Sequence, residues 1–111
     1  MKSASKGRTA RARAKSADLG TQAAEAAAFL RTLANENRLL ILCVLAEGEI
    51  SVGELAARLG ITHPNASQHL FRLKSEGLVA ARRDGQAVYY SIASKDVMTI
   101  IAQLHDMFCA D

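Results

Sequence analysis

The sequence predicts a mainly α-helical domain that carries one small β-hairpin. Apolar residues at helical spacing occupy most of the chain, two short helices meet at a glycine turn within residues 51–70, and two β-prone runs follow within residues 78–92. Two helices joined by a tight turn and followed by a hairpin are typical of a winged helix-turn-helix. We therefore expect two scaffold helices, the helix-turn-helix, the hairpin (the wing) and a last helix, in that order.

Turn and capping residues indicate the helix-turn-helix. The first helix has one apolar stripe, and Gly60 can adopt the left-handed conformation that ends it. Thr62 can cap the second helix, and Pro64 falls in its first turn, where a missing N–H has no cost. Three apolar residues of the second helix are expected to face the core: Ala66, Leu70 and Leu73.

The second helix and the wing carry the side chains that DNA recognition requires. Donors and acceptors on an exposed helix face can bond to base edges in the major groove, and cations near a hairpin turn at Asp84-Gly85 can reach phosphates or the minor groove. An ordinary solvated hairpin is the alternative for the wing alone. The residues expected at DNA are Thr62, His63, Asn65, Ser67, Gln68, His69 and Arg72 of the helix, and Arg82, Arg83 and Gln86 of the wing.

The positive charge is unevenly distributed. Six cations precede the first acid, Asp18, whereas the remainder of the chain has 8 basic and 11 acidic residues. Residues 1–17 are expected to form a basic, disordered arm, and residues 18–111 one domain. The arm could attract phosphates without sequence preference, or it could be a tail that only aids solubility.

Composition excludes several classes of protein. No run of apolar residues is long enough for a membrane span, and no apolar segment follows the basic N-terminus as a secretory signal requires. The expected location is the cytoplasm. No catalytic triad, carboxylate pair or phosphate loop is evident, so we expect no enzyme and no cofactor. In the cytoplasm two cysteines raise a redox or metal question, because standing disulfides are rare there.

The remaining helices form the scaffold. A first helix is expected over residues 18–33, and Asn35 caps a second helix that is apolar on every face and therefore expected to be fully buried until Gly48 ends it. Ser94 caps a last helix that runs to about Cys109. Its broad apolar surface, with the first helix, predicts a homodimer that presents two recognition helices to an inverted-repeat operator. Completion of a monomer core is the alternative.

These features in this order resemble the ArsR family of winged-helix repressors. The resemblance covers about residues 19–109 and is carried by three segments: Asn35-Glu36-Asn37-Arg38-Leu39, Ser67-Gln68-His69-Leu70 and Gly77-Leu78-Val79, followed by residues 82–90 of the wing. It implies a homodimer with five helices and the wing between the last two. It also implies repression of an operon until an inducer releases the protein from double-stranded operator DNA.

Departures from the family's metal sensors argue against a metal site. The arsenic sensors place Cys-Val-Cys where this chain has Ser51-Val52-Gly53, which cannot form a soft-metal site. The last helix offers only Asp96, His105 and Asp106, and the last two point about 100° apart on a helix. We therefore expect no metal ligands.

The two cysteines resemble those of the family's persulfide-sensing branch. Cys43 lies in the second helix and Cys109 at the end of the last. In that branch, cysteines at these places form a disulfide or polysulfide bridge that weakens DNA binding, so the resemblance implies reactive sulfur as inducer. Two alternatives stay open: a repressor that responds to a metal ion or another ligand and has structural cysteines, and an architectural nucleoid protein.

Overall fold

The structure, a computed structural model, describes residues 20–109. They fall into two compact units, one ending at Thr32 and the other beginning at Leu33, and each is described by itself. The arm expected over residues 1–17 lies outside the described residues. The helices are α1 (Ala23–Leu33), α2 (Glu36–Ala46), α3 (Val52–Leu59), α4 (His63–Ser75) and α5 (Lys95–Phe108), and the strands are β1 (Ile50–Ser51), β2 (Val79–Asp84) and β3 (Ala87–Ile92).

Helix α1 provides nearly all the described regular structure of the unit that ends at Thr32. Glu25 in its first turn and Arg31 in its last complement the helix dipole. The Thr32 hydroxyl donates to the Ala28 carbonyl at 3.2 Å, so its polar atom is satisfied within the helix. The expected start at residue 18 lies outside the described residues, and the expected end at Leu33 is confirmed.

Side-chain caps fix where the other helices begin. Asn35 and Thr62 accept hydrogen bonds from the backbone N–H groups of Arg38 and Asn65 at 3.0 Å and 3.2 Å. Ser51 caps α3 and Ser94 caps α5 in the same way. Gly60 ends α3 with a φ of 67°, a conformation that a side chain would strain. The turn of the helix-turn-helix therefore lies where the sequence predicts it, between Gly60 and Thr62.

One hydrophobic core joins four helices of the larger unit. Leu70 and Leu73 of α4 are fully buried, as predicted, together with Ala66. Because α4 packs its inner face into this core, its outer face is held in a fixed orientation. The other largest fully buried side chains are Ile41 and Leu42 of α2, Leu55 of α3 and Val97 of α5.

The prediction that α2 is buried on all sides is wrong. Ile41, Leu42, Val44 and Leu45 are buried, but Leu40 is 43% exposed and Cys43 is exposed. Neighbouring elements cover one side of this helix and leave the other side open. Because the helix is apolar on every face, its sequence does not show which face the neighbouring elements cover.

The wing belongs to a three-stranded antiparallel sheet with strand order β1-β3-β2. The Asp84 Cα pairs with that of Ala87, so Gly85 and Gln86 form the turn, one residue later than the Asp84-Gly85 turn that the sequence suggested. Gly85 has a φ of 65°, and a positive φ at only the first turn residue is the pattern of a II′ turn. No sequence pattern predicted strand β1, whose Ile50 pairs with Tyr90.

Helix α5 buries only part of its apolar surface. Val97 and Ile101 are buried, whereas Met98, Met107 and Phe108 are 44%, 64% and 77% exposed. Its 14 residues, Lys95–Phe108, lie between the predicted cap, Ser94, and Cys109, where the helix was predicted to end. No helix within residues 20–109 has the length and apolarity needed to cross a bilayer.

Candidate DNA-binding surface and thiol groove

Helix α4 presents two flanks and an outer face around its buried side. At about 100° per residue, His63 and Ser67 lie on one flank, Asn65 and His69 lie on the other, and Gln68 points away from the core. His63 and Gln68 are exposed, while the other three are partly buried. The cap residue Thr62 and Arg72 are also exposed, so the predicted helix residues all reach the surface.

The His63 flank faces the wing. His63 and Ser67 line a cleft of about 360 Å³ with Gln86 of the wing turn, and the start of α3 closes the cleft at Ser51 and Gly53. The fold thus brings together three residues that the sequence proposed for DNA contact from separate segments. A duplex that received α4 in its major groove would have the wing tip beside it.

The opposite flank contains a histidine that stays neutral. Burial lowers the pKa of His69 below its ordinary value, and the positive charge of Arg38 lowers it further. At neutral pH His69 is therefore an uncharged imidazole, which can donate one hydrogen bond and accept another but adds no positive charge to attract a phosphate. Its expected role narrows to polar contact.

Two of the predicted DNA-binding arginines already have carboxylate partners. Arg72 Nε donates to Glu76 at 2.9 Å. Arg82 donates to both carboxylate oxygens of Glu49 at 2.8 Å and 3.0 Å, and this hydrogen bond lowers the pKa of Glu49. Arg82 also lies 4.9 Å from the centre of the Tyr89 ring. Arg83, its neighbour in the strand, points to the opposite face of the hairpin.

We predict that Glu49→Gln strengthens DNA binding by removing the carboxylate that best neutralises Arg82, which keeps only a longer contact of 3.8 Å with Asp84. The guanidinium then has more positive charge to offer a phosphate, so the plot of log affinity against log salt concentration should steepen by up to about one. The pair is half exposed, so the free energy of unfolding should change by less than about 1 kcal/mol. Titrations at several salt concentrations measure the slope. Asp96→Asn removes one charge without releasing Arg82 and is the control; an equal change in both variants would contradict the prediction.

Cys43 opens onto a second groove, between α2 and α5, which we call the thiol groove. Its volume is about 410 Å³. Met98, Ile101 and Ala102 form its apolar wall. Its lining also includes Ala46 and three titratable residues, Glu47, His105 and Asp106. Small reagents can therefore reach Cys43 from solvent.

Cys109 lies near the same groove. Its backbone N–H donates to the His105 carbonyl at 2.8 Å, which places it one turn beyond His105 at the end of α5. Burial raises the pKa of the Cys43 thiol, and the charges of the Cys109 thiolate and of Glu47 raise it further. Both thiols are free and exposed. The fold thus brings the two predicted sensing residues within range of each other's charge.

Three surface features escaped the sequence reasoning. Glu49 carries no signal of its pairing with Arg82, 33 residues away. His105 and Asp106, which the sequence set 100° apart, both line the thiol groove. Phe71 is 71% exposed on α4, although an aromatic residue in an amphipathic helix is usually buried. Across residues 20–109, no three histidine, cysteine or acidic residues are placed to hold one metal ion.

Known proteins that are similar to this chain in sequence and fold include bacterial transcriptional regulators. Residues 35–81 match the profile described as "Bacterial regulatory protein, arsR family". The chain is 41% identical over 92 residues to the transcriptional activator HlyU of Vibrio cholerae, covering 83% of this chain and 85% of HlyU. The solved structure of reduced HlyU superposes with a TM-score of 0.78 and covers 83% of this chain and 97% of that one.

Two further solved structures are similar. The transcriptional repressor BigR from Xylella fastidiosa is 38% identical, with a TM-score of 0.74, covering 84% of this chain and 92% of that one. The homodimeric winged helix-turn-helix DNA-binding domain of Mb0332 from Mycobacterium bovis is 39% identical, with a TM-score of 0.70, covering 80% and 82%. The chain therefore belongs to the ArsR family of bacterial regulators, and it is a DNA-binding transcriptional regulator rather than an enzyme.

Proposed function

We propose that this regulator is a cytoplasmic homodimeric repressor that senses reactive sulfur through Cys43 and Cys109. In the reduced state it binds an inverted-repeat operator through α4 and the wing. Bridging of the two cysteines within one protomer releases the operator. No cofactor is needed, because the cysteines react directly with the inducer.

The observation that carries the proposal is the placement of the cysteines. They are on two helices that border one groove, they are exposed, and the charge of Cys109 raises the pKa of Cys43. Only the thiolate attacks sulfur, so Cys43, which stays largely protonated at neutral pH, is suited to the second step. That one solved relative is described by its oxidation state, as reduced HlyU, supports a role for thiols.

The reaction needs only a persulfide as oxidant. The Cys109 thiolate attacks the outer, sulfane sulfur of RS–SH, forming Cys109–S–SH and releasing RS⁻. The Cys43 thiolate then attacks Sγ of Cys109, forming the disulfide and releasing HS⁻. The two thiols lose two electrons, and the sulfane sulfur gains them. A second persulfide can first lengthen the adduct by one sulfur, and closure then leaves one sulfur inserted in the bridge.

The pH dependence of bridge closure follows from the pKa of Cys43. Because that pKa is raised, the thiolate fraction of Cys43 is small at neutral pH and grows about tenfold for each pH unit below the pKa. We predict that closure accelerates about tenfold from pH 7 to pH 8. Glu47, His105 and Asp106 face the same groove, so Glu47→Gln should raise the rate at pH 7 by removing one negative charge. Acid quenching and mass spectrometry give the rates; a flat profile contradicts the assignment.

Dimerisation is supported by exposed apolar side chains. Met107 and Phe108 of α5 and Leu30 of α1 are 56–77% exposed, and a partner protomer would remove these apolar side chains from water. A relative, Mb0332, is described as homodimeric. A two-fold axis would present two copies of α4 to an inverted repeat. Helix α5 borders the thiol groove and belongs to the proposed dimer interface. Bridging within each protomer would therefore alter the tilt or spacing of the two copies of α4.

Base reading is assigned first to Gln68. Its side chain is exposed on the outer face of α4, and a bidentate amide contact to adenine contributes about 1–3 kcal/mol of discrimination. We predict that Gln68→Ala weakens operator binding by that amount and relaxes the preference at one base pair per half-site. Competition titrations with single-base operator variants measure both effects. Gln103→Ala, at an exposed glutamine outside α4 and the wing, is the control. Unchanged affinity and base preference in Gln68→Ala would show that Gln68 does not contact a base.

One titration series separates the candidate inducers. Operator binding is measured for reduced protein and again after addition of an organic persulfide donor, hydrogen peroxide or zinc. Release by the persulfide at stoichiometric dose supports the proposal. Release by peroxide alone would favour a general oxidant sensor, and release by zinc without a thiol mass change would favour the metal-responsive alternative, in which the cysteines are structural.

A further inference from the structure

Phe71 is an exposed aromatic side chain on the helix that we assign to the major groove. It is 71% exposed, although its neighbour Leu70 is completely buried. A phenylalanine left in water forgoes the free energy that its burial would contribute. The hydrophobic core of the protomer does not cover the Phe71 ring, so core packing does not explain why a phenylalanine occupies this position.

The position of Phe71 on α4 continues a row of residues beside the wing. His63, Ser67 and Phe71 are spaced by four residues, so they form a row along α4 that turns about 40° toward its outer face at each step. His63 and Ser67 line the cleft that they share with Gln86 of the wing. Phe71 therefore extends this row by about 6 Å toward the C-terminus of the helix.

The surroundings of Phe71 favour an apolar rather than a charged contact. Arg72, the next residue, points about 100° away from Phe71 around the helix and pairs with Glu76 at 2.9 Å, so it offers the ring no charged partner. A phenyl ring gains nothing from a phosphate. In the major groove the apolar group available to it is the C5-methyl of thymine, which no other base of unmodified DNA presents.

We infer that Phe71 is a specificity-determining residue that packs on the C5-methyl group of a thymine in each operator half-site. This inference rests on the proposed binding of α4 in the major groove. Because the polar residues His63 and Ser67 precede Phe71 in the same row, the thymine lies about one base pair or two beyond the bases that they reach.

The test uses a duplex that the full-length protein selects from a random library. Each thymine is replaced in turn by deoxyuridine, which removes only the methyl group. Loss of one buried methyl corresponds to about 0.8 kcal/mol, so wild-type binding should weaken about fourfold for one half-site and about fifteenfold for both. Replacement of any other thymine by deoxyuridine should weaken binding by less than this.

The variant Phe71→Ala identifies the side chain responsible. It should bind the thymine and deoxyuridine duplexes with equal affinity, while Phe71→Leu should keep part of the difference. A methyl effect of equal size in wild type and Phe71→Ala overturns the inference, as does a selected site without a sensitive thymine. Failure to select any duplex overturns the proposed operator binding itself, whereas normal selection with no methyl effect overturns the role of Phe71 alone.

Discussion

Cys43→Ser and Cys109→Ser are each expected to bind operator normally and to stay bound when a persulfide donor is added. Wild-type protein should lose about 100-fold in affinity under the same conditions, which requires only about 2.7 kcal/mol of coupling between the bridge and the DNA-binding surface. Serine cannot form a sulfur bridge, so neither variant can close. Operator titration by fluorescence anisotropy, with and without donor, measures the effect.

Two controls make this result specific. Reduction of the bridged wild type with dithiothreitol should restore binding, and Ala57→Cys, at an exposed position of α3, in the Cys43→Ser, Cys109→Ser background should not respond, because a thiol alone is insufficient. Release of Cys109→Ser as readily as wild type would show that the dithiol is not the switch. The inducer would then act through another part of the protein.

Leu70→Ala should destabilise the protein more than any substitution on the surface of α4. Leu70 is completely buried at the centre of the helix, and truncation of such a leucine costs about 2–5 kcal/mol through lost burial and the cavity left behind. This is a large part of the 5–15 kcal/mol that stabilises a typical domain. Urea unfolding at a fixed protein concentration, which the proposed dimer requires, measures the free energy of unfolding.

The neighbouring residue provides the matched comparison. Phe71→Ala removes a larger side chain, but one that is 71% exposed, so the free energy of unfolding should change by about 0.5 kcal/mol or less. Its effect should appear in DNA binding instead. Equal losses of stability in Leu70→Ala and Phe71→Ala would contradict the orientation of α4, which places Leu70 in the core and Phe71 in solvent.

The fold was predictable wherever its determinants are local. Asn35, Thr62 and Ser94 cap helices through bonds to residues three positions on, and Gly60 ends a helix through its own backbone angle, so a short sequence window contains the whole signal. Strand β1 escaped prediction because it has only two residues and pairs with Tyr89 and Tyr90, about 40 positions away.

The residues proposed for the DNA-binding surface could be predicted from the sequence, but the side chains with which they form ion pairs could not. Polar residues of α4 and the wing could be identified by type and spacing, and the fold places His63, Ser67 and Gln86 around one cleft. The pairing of Arg82 with Glu49 depends on tertiary structure and was missed. The exposure of Cys43 was missed for the same reason, since α2 is apolar on its open side as well.

The most direct test of the thiol switch follows bridging and DNA release in the same samples. Wild-type protein bound to operator is titrated with a persulfide donor, and each aliquot is divided between anisotropy and intact-mass measurement under acid. If Cys43 and Cys109 form the switch, the operator-bound fraction falls as the fraction of protomers with an internal link between these cysteines rises, and reduction reverses both changes. Operator that remains bound to fully bridged protein would contradict this assignment.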